Sequence, residues 1–257
     1  TIEGRSINLA IPIQFVKPFL KEKKSFSFQE LLQQDKNSKE AMYYRGNFYL
    51  YGLGAPNKAI DEFEKILTQD PNFTLAHYDL AVAYRDLGMQ DEAIQQYEKT
   101  IELQPNFPEA LSNLGSYYFR SGKVEQAKEM YTKAIKIYPN FIQGLSNLGA
   151  VLNKLGHPEE AIPHLKKTLE LNPEFAIAIF NLGNSQFALN RFEEAQKSYE
   201  RSTELGLDFL SMHWKLYEIH LTRKAYKNAE KELQTILQMD PLNEEAQKKL
   251  SALPKVH

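Results

Sequence analysis

The stretch ALSNLGSYYFRSGKVEQAKEMYTKAIKIYP, residues 110–139, decides the fold because the rest of the chain repeats its pattern. Four more stretches align with it without gaps, at 76–105, 144–173, 178–207 and 212–241, and a sixth, at 41–71, has one extra residue. One alanine recurs every 34 residues through all six stretches: Ala59, Ala93, Ala127, Ala161, Ala195 and Ala229. A fixed period of this length is typical of proteins in which one small unit stacks on copies of itself.

Each unit has the pattern of two short helices joined by a tight turn. Apolar residues recur at helical spacing, as at Leu111, Leu114 and Tyr118. Gly122 is expected to end the first helix because glycine tolerates a left-handed backbone, and Pro139 to end the second because it lacks an amide hydrogen. A single hairpin is too small to bury its own apolar faces, so neighbours must stack. The sequence therefore predicts an all-α protein, a right-handed α-solenoid of helix hairpins.

The repeat resembles that of the tetratricopeptide repeat family. The third unit carries the small and large residues of that family at Leu114, Gly115, Tyr118, Gly122, Ala127, Tyr131, Ala134 and Pro139. The resemblance implies six repeats, at 39–73, 74–107, 108–141, 142–175, 176–209 and 210–243, with a capping helix and tail at 244–257. It also implies a protein–protein interaction scaffold, since the family's first helices line a concave groove that usually binds extended peptides.

The composition argues against several other classes of protein. A formal net charge of -2 gives no general attraction to nucleic acid, and the lack of cysteine excludes disulfides and thiolate metal sites. No apolar run approaches the roughly 18 residues of a transmembrane helix, so membrane insertion is not expected. No catalytic motif occurs, and neither enzymatic activity nor a cofactor is predicted for the chain as given. His213 and His220 are expected to be core histidines, because seven helical residues separate them by about 10.5 Å along the axis, too far for one zinc ion.

Three asparagines occupy the same position in successive first helices. Asn113, Asn147 and Asn181 are 34 residues apart, and Asp79 and Lys215 take the flanking equivalent positions. A carboxamide both donates and accepts hydrogen bonds, so such a row can hold a peptide backbone without reading its side chains. The row is similar to the groove of the sugar-transferring members of the family. The alternative is that these asparagines make hydrogen bonds between helices.

A row of cations lies beside the asparagines. Arg85, Arg120 and Lys154 fall about one helical turn further along successive first helices, which favours an acidic peptide or a terminal carboxylate as the ligand. The residues do not reproduce the charged clamp of the chaperone-binding members, and Asp86 beside Arg85 weakens the case for a purely anionic ligand. A solvated charged face is the alternative.

Aromatic residues are the third set of candidate binding residues. Large rigid aromatic side chains often dominate recognition, and the groove side of the first helices offers Tyr78, Phe119, Phe180, Phe187 and Trp214. The predicted ligand is therefore a protein or peptide that carries acidic or apolar side chains. Packing between first helices is the competing interpretation of the same residues.

The first twenty residues, TIEGRSINLAIPIQFVKPFL, do not follow the repeat. Alternating apolar residues from Ile7 to Phe15 predict a strand. The segment resembles the last strand and following helix of HtrA/Deg-like serine proteases, without any catalytic residue; the alternative is a cloning scar at I-E-G-R followed by an unrelated strand. The resemblance implies a remnant of a preceding domain at 1–20, a linker with a short helix at 21–38, and an extracytoplasmic location; without it, a cytoplasmic location is expected.

The same segment suggests two other functions for the chain. It could be the substrate-recruiting or assembly module of a serine protease. It could also be a self-association module, because an apolar strand separated from its sheet, at residues 5–16, would pair with the groove of a neighbouring molecule.

Overall fold

The computed structural model describes residues 37–254. This part of the chain consists of thirteen α-helices and one π-helical turn, and contains no strand. The α-helices are α1 Lys39–Asn47, α2 Pro56–Gln69, α3 Thr74–Asp86, α4 Gln90–Leu103, α5 Pro108–Arg120, α6 Val124–Ile137, α7 Ile142–Lys154, α8 Pro158–Leu171, α9 Ala176–Ala188, α10 Phe192–Glu204, α11 Leu210–Thr222, α12 Tyr226–Met239 and α13 Glu244–Ala252. The predicted all-α class is confirmed, whereas the strand predicted at 7–15 and the helix predicted in the linker lie outside the described residues.

A left-handed residue follows the first helix of each hairpin from α3 onward. The φ angles are +76° at Gly88, +75° at Gly122, +80° at Gly156, +57° at Asn190 and +57° at Lys224, at intervals of 34 residues. This conformation lets the next amides bond back to the last carbonyls of the helix, as the Met89 amide does to the Tyr84 carbonyl at 2.9 Å. The last two turns keep the geometry although they lack glycine.

Proline ends most of the second helices, as the sequence predicts. The residues before the prolines, Asp70, Gln104, Tyr138, Asn172 and Asp240, have φ angles between −128° and −143°, outside the helical range. The fifth repeat has Leu207 where the others have proline. There the chain turns instead at Gly206, whose φ is +85°.

The extra residue of the first repeat is absorbed by a π-helical turn. Helix α1 passes directly into this turn, Phe48–Gly52, before the chain reaches α2. A π-turn holds one residue more than the α-helical turn it replaces. Tyr51 is thereby placed beside α3, where it contacts a buried carboxylate described below.

The described chain separates into two compact units, one that ends at Tyr117 and one that begins at Tyr118. In the first, α1 packs on α2 and α3 on α4; in the second, α7 packs on α8, α9 on α10 and α11 on α12. The six periodic alanines are all fully buried. Small residues on the first helices permit this close approach: a Cβ atom at Gly46 would come within 2.5 Å of the Phe63 ring.

Helix α13 covers the end of the last hairpin, as predicted for a capping helix. The Asn243 side chain caps it by accepting a hydrogen bond from the Ala246 amide at 3.0 Å. Ala246 is fully buried, and Leu250 and Leu253 pack against the core of α11 and α12. The opposite side of α13 is exposed and carries charged residues, as in a capping helix.

Candidate functional site

In the unit that ends at Tyr117, a buried carboxylate on a first helix accepts hydrogen bonds from two tyrosines. Asp79 is 4% exposed and accepts hydrogen bonds from the hydroxyls of Tyr43, at 2.7 Å, and Tyr51, at 2.6 Å. Burial raises the pKa of Asp79 to about 6, because loss of water disfavours the charged form, although the two phenols oppose the rise. Sequence reasoning treated Asp79 only as a gap in the row of asparagines. The signal it missed is the tyrosines of the first repeat.

The first asparagine of the row makes a hydrogen bond within the fold. Asn113 Nδ2 donates to the Tyr97 hydroxyl of α4 at 3.1 Å. The ring of Tyr78 stacks on Phe107 at a centroid distance of 4.8 Å and lies 5.9 Å from the Tyr97 ring. Both Asn113 and Tyr78 remain half-buried, so each still presents part of its side chain to solvent.

Arg85 is exposed and already paired. Its Nε and Nη2 atoms donate to Asp86 Oδ1 at 3.0 and 2.8 Å, and the two side chains are 40% and 41% exposed. An anionic ligand would therefore have to compete with the neighbouring carboxylate. At this degree of exposure the pair itself contributes little to stability.

The second unit contains a cluster of polar and aromatic side chains on α9, α10 and α11. Lys215 Nζ donates to Asn184 Oδ1 at 2.5 Å and lies 6.0 Å and 5.8 Å from the ring centroids of Phe180 and Phe187. Tyr199 donates to the same Asn184 oxygen at 3.0 Å. Burial lowers the pKa of Lys215, since the charged ammonium loses water there. We call these five residues the Lys215 cluster.

The sequence indicated the two phenylalanines of the cluster but not its polar members. Asn184 lies on α9 one helical turn beyond Asn181, and Lys215 stands where the asparagine row would continue. Lys215 replaces the asparagine that three other repeats carry at its position, and this departure was the available signal. The position of Asn184 carries a different residue in every repeat and gave no signal.

The other two asparagines of the row differ in environment. Asn147 is half-buried on α7, and its carboxamide makes no hydrogen bond to any residue that the structure describes. Asn181 is only 7% exposed. The link between α7 and α9 comes from Asn153 instead: its Nδ2 donates to the Asn181 carbonyl at 2.8 Å, and its Oδ1 accepts from Ser185 at 2.6 Å.

The remaining candidates lie apart from the Lys215 cluster. Phe119 packs on the core of α6 to α8, and Trp214 packs on the core of the last hairpin, with its ring perpendicular to that of Tyr217 at 5.9 Å. Arg120 and Lys154 are exposed, each at the C-terminal end of a first helix. Cations at these positions also interact favourably with the helix dipole.

A buried histidine bridges two carboxylates in the last hairpin. His213 is 8% exposed, with Nδ1 2.6 Å from Glu232 and Nε2 2.6 Å from Asp208. The hydrogen bond to Glu232, followed by that to Asp208, raises the pKa of His213, whereas burial lowers that of His220. Within residues 37–254 no three metal-binding side chains are close enough to share an ion. The same range contains no helix with the length and apolarity of a membrane span.

Known structures share the fold of the chain. The chain is 20% identical to PilF of Pseudomonas aeruginosa, with 86% of this chain and 99% of that one aligned and a TM-score of 0.71. It is 26% identical to MamA, over 63% and 94% of the two chains, with a TM-score of 0.56. It is 18% identical to YrrB, a TPR protein with an unusual peptide-binding site, over 73% and 96%, with a TM-score of 0.59. No curated protein matches the chain significantly.

Family comparison identifies the repeat itself. Models of the tetratricopeptide repeat match residues 40–72, 62–95, 108–141, 142–175 and 180–244, and a TPR repeat model matches 83–122. The matches together span nearly all of the helical repeats described above. These similarities support a protein-interaction scaffold as the general role. The chain belongs to the tetratricopeptide repeat family.

Proposed function

We propose that the chain binds an extended peptide or protein segment along its first helices. The observation that carries this proposal is the free carboxamide of Asn147 on α7, which makes no hydrogen bond to any described residue. A carboxamide of this kind can donate to one backbone group of a ligand and accept from another. Because the Asn147 side chain is half-buried, it has less conformational freedom to lose on binding than a fully exposed side chain.

The proposed binding residues divide into three roles. Asparagines hold the ligand backbone, cations hold acidic groups, and aromatic rings hold apolar side chains. The asparagines are Asn113, Asn147 and Asn181; the cations are Arg85, Arg120 and Lys154; the aromatic residues are Tyr78, Phe119, Phe180, Phe187 and Trp214.

Contacts within the fold differ among the three asparagines and determine how much each can contribute to holding a ligand. Asn113 already donates to Tyr97, so a ligand would mainly use its oxygen. Asn181 is 7% exposed and offers little surface. Asn147 is therefore expected to contribute most to holding a ligand backbone.

A test of this proposal uses peptides selected from a random library displayed on phage. The selected peptides are synthesised with a fluorescent label, and their affinities are measured by anisotropy for the wild type and for Asn147→Ala. Loss of one or two hydrogen bonds should weaken binding about fivefold to tenfold. The matched control is Gln126→Ala, which removes an exposed carboxamide from a second helix and should leave affinity unchanged.

Two results would count against the proposal. One is the failure of the wild type to select any peptide. The other is unchanged affinity for a variant in which Asn113, Asn147 and Asn181 are all replaced by alanine. The protease-module and self-association functions depend on residues 1–20, which lie outside the described residues, and they stay predictions.

A further inference from the structure

We infer that Lys215 and Asn184 form a subsite for a carboxylate group of the bound peptide. This inference rests on the proposed peptide-binding function and specifies the chemistry of the ligand. Lys215 is half-buried between the rings of Phe180 and Phe187. Glu218 is the only carboxylate of the described residues that raises the pKa of Lys215, and the two residues form no ion pair.

The cluster contains more hydrogen-bond donors than acceptors. An ammonium group has three donors and a carboxamide nitrogen has two. The Asn184 oxygen accepts from both Lys215 and Tyr199, so both of its lone pairs are used. The orientation of the amide follows from the ammonium group, which can only donate and therefore needs the amide oxygen as its acceptor; the Tyr199 hydroxyl then donates to the same oxygen. Among the residues that the structure describes, the other two Lys215 donors and the Asn184 NH₂ group have no partner.

A carboxylate supplies what the cluster lacks. It brings a negative charge beside the uncompensated ammonium and two oxygens for the free donors of Lys215 and Asn184. Glu218, one turn along α11, raises the pKa of Lys215 but forms no ion pair with it. The charge of Glu218 is exposed and screened by solvent, and therefore leaves the subsite available.

The aromatic rings beside Lys215 indicate which kind of ligand residue lies next to that carboxylate. Phe180 packs edge-on against Phe209 at 5.0 Å, and Phe209 remains 37% exposed. The carboxylate of the acidic ligand residue would reach Lys215, and an apolar side chain next to that residue would cover the Phe209 ring. The ligand we infer is an extended peptide with an acidic group beside an aliphatic or aromatic residue.

The experiment selects peptides from two random libraries, one anchored through the C-terminus of each peptide and one with that terminus free. The wild type should enrich peptides that carry Asp, Glu or the terminal carboxylate beside an apolar residue. In a synthetic peptide of the selected sequence, replacing the acid by its amide should weaken binding to the wild type about tenfold or more. Binding to Lys215→Met should change less than about twofold on the same replacement, since the charge partner is gone.

Two further variants separate a specific site from general charge. Lys136→Met removes an exposed lysine of the second helix α6, which is not among the proposed binding residues, and should retain the full preference for the acid. Asn184→Asp provides Lys215 with a carboxylate from within the protein, so this variant should fold normally and lose the preference. Circular dichroism and thermal unfolding check that each variant is folded.

The outcomes distinguish this inference from the proposed function. Enrichment only from the library with free termini assigns the site to a terminal carboxylate, and enrichment from both assigns it to an acidic side chain. Selected peptides without an acidic group, or an acid preference that persists in Lys215→Met, would overturn the inference and leave peptide binding intact. Selection of no peptide from either library would overturn both.

Discussion

Gly149 and Leu165 should show strong energetic coupling, because the side chain of one occupies the space that a side chain at the other would need. Gly149 lies on α7 and Leu165 on α8, and Leu165 is fully buried. A Cβ atom at position 149 would lie 2.5 Å from both Cγ and Cδ2 of Leu165 and 3.2 Å from Cδ1. Carbon atoms in contact are normally about 3.5–4.0 Å apart.

The free energies of unfolding follow from these distances. Overpacking of this kind costs about 1–3 kcal/mol, and the higher helix propensity of alanine returns about 1 kcal/mol, so Gly149→Ala should destabilise by about 0–2 kcal/mol. Leu165→Ala leaves a cavity and should cost about 2–5 kcal/mol. It also removes all three atoms that the new Cβ would strike. In the double variant the overpacking cost therefore disappears, which predicts a coupling of about 1–3 kcal/mol.

The assay is urea-induced unfolding followed by circular dichroism and by the fluorescence of Trp214, the single tryptophan. Agreement between the two probes is needed because repeat proteins can unfold in stages. Leu233, fully buried in the last hairpin, provides the control: Gly149→Ala and Leu233→Ala should be additive within about 0.5 kcal/mol. Additivity of the Gly149 and Leu165 substitutions would show that the helices can separate at little cost, and would refute the argument.

Three further predictions concern the backbone and the buried titratable groups. Lys224→Gly should stabilise the chain by up to about 1 kcal/mol because φ is positive there, whereas Asn190→Gly should gain less because asparagine tolerates that conformation; thermal unfolding compares them. The pKa of about 6 at Asp79, against 3.8 in the unfolded chain, should cost about 3 kcal/mol of stability as pH rises from about 4 to 6, and Asp79→Asn should remove this slope in urea unfolding. The raised pKa of His213 should stabilise the fold below about pH 6.5 and lose that effect as pH rises through the folded-state pKa; a His213→Gln variant that kept the same slope between pH 6 and 9 would contradict this.

The fold could be predicted from the sequence because the same residues pack at the same positions of each repeat. The alanine of each second helix is fully buried in all six units, so one correct assignment applies to every hairpin. The π-helical turn Phe48–Gly52 could not be predicted. The sequence shows one extra residue in the first repeat, but a loop, a helix end or a widened turn could each absorb it. Packing of Tyr51 against Asp79 decides between them in the folded chain.

The candidate site was less predictable because periodicity identifies a face of a helix and does not identify hydrogen-bond partners. Position 97 and its equivalents at 131, 165 and 199 carry Tyr, Tyr, Leu and Tyr. Asn113 donates to the phenol at position 97, whereas the residue at the equivalent position before Asn181 is Leu165, which has no hydroxyl to offer.

Lys215 shows the same dependence on its neighbours. The phenol of Tyr199, at the equivalent position, bonds to Asn184, and Asn184 in turn holds the ammonium group of Lys215. Residues on the second helices therefore determine which hydrogen-bonding groups of the proposed binding residues remain free. Replacing Tyr199 by Phe should loosen Asn184 and reduce the acid preference of the Lys215 cluster, although every first-helix residue is unchanged. A repeat protein can in this way change what it binds by substitutions behind its binding surface.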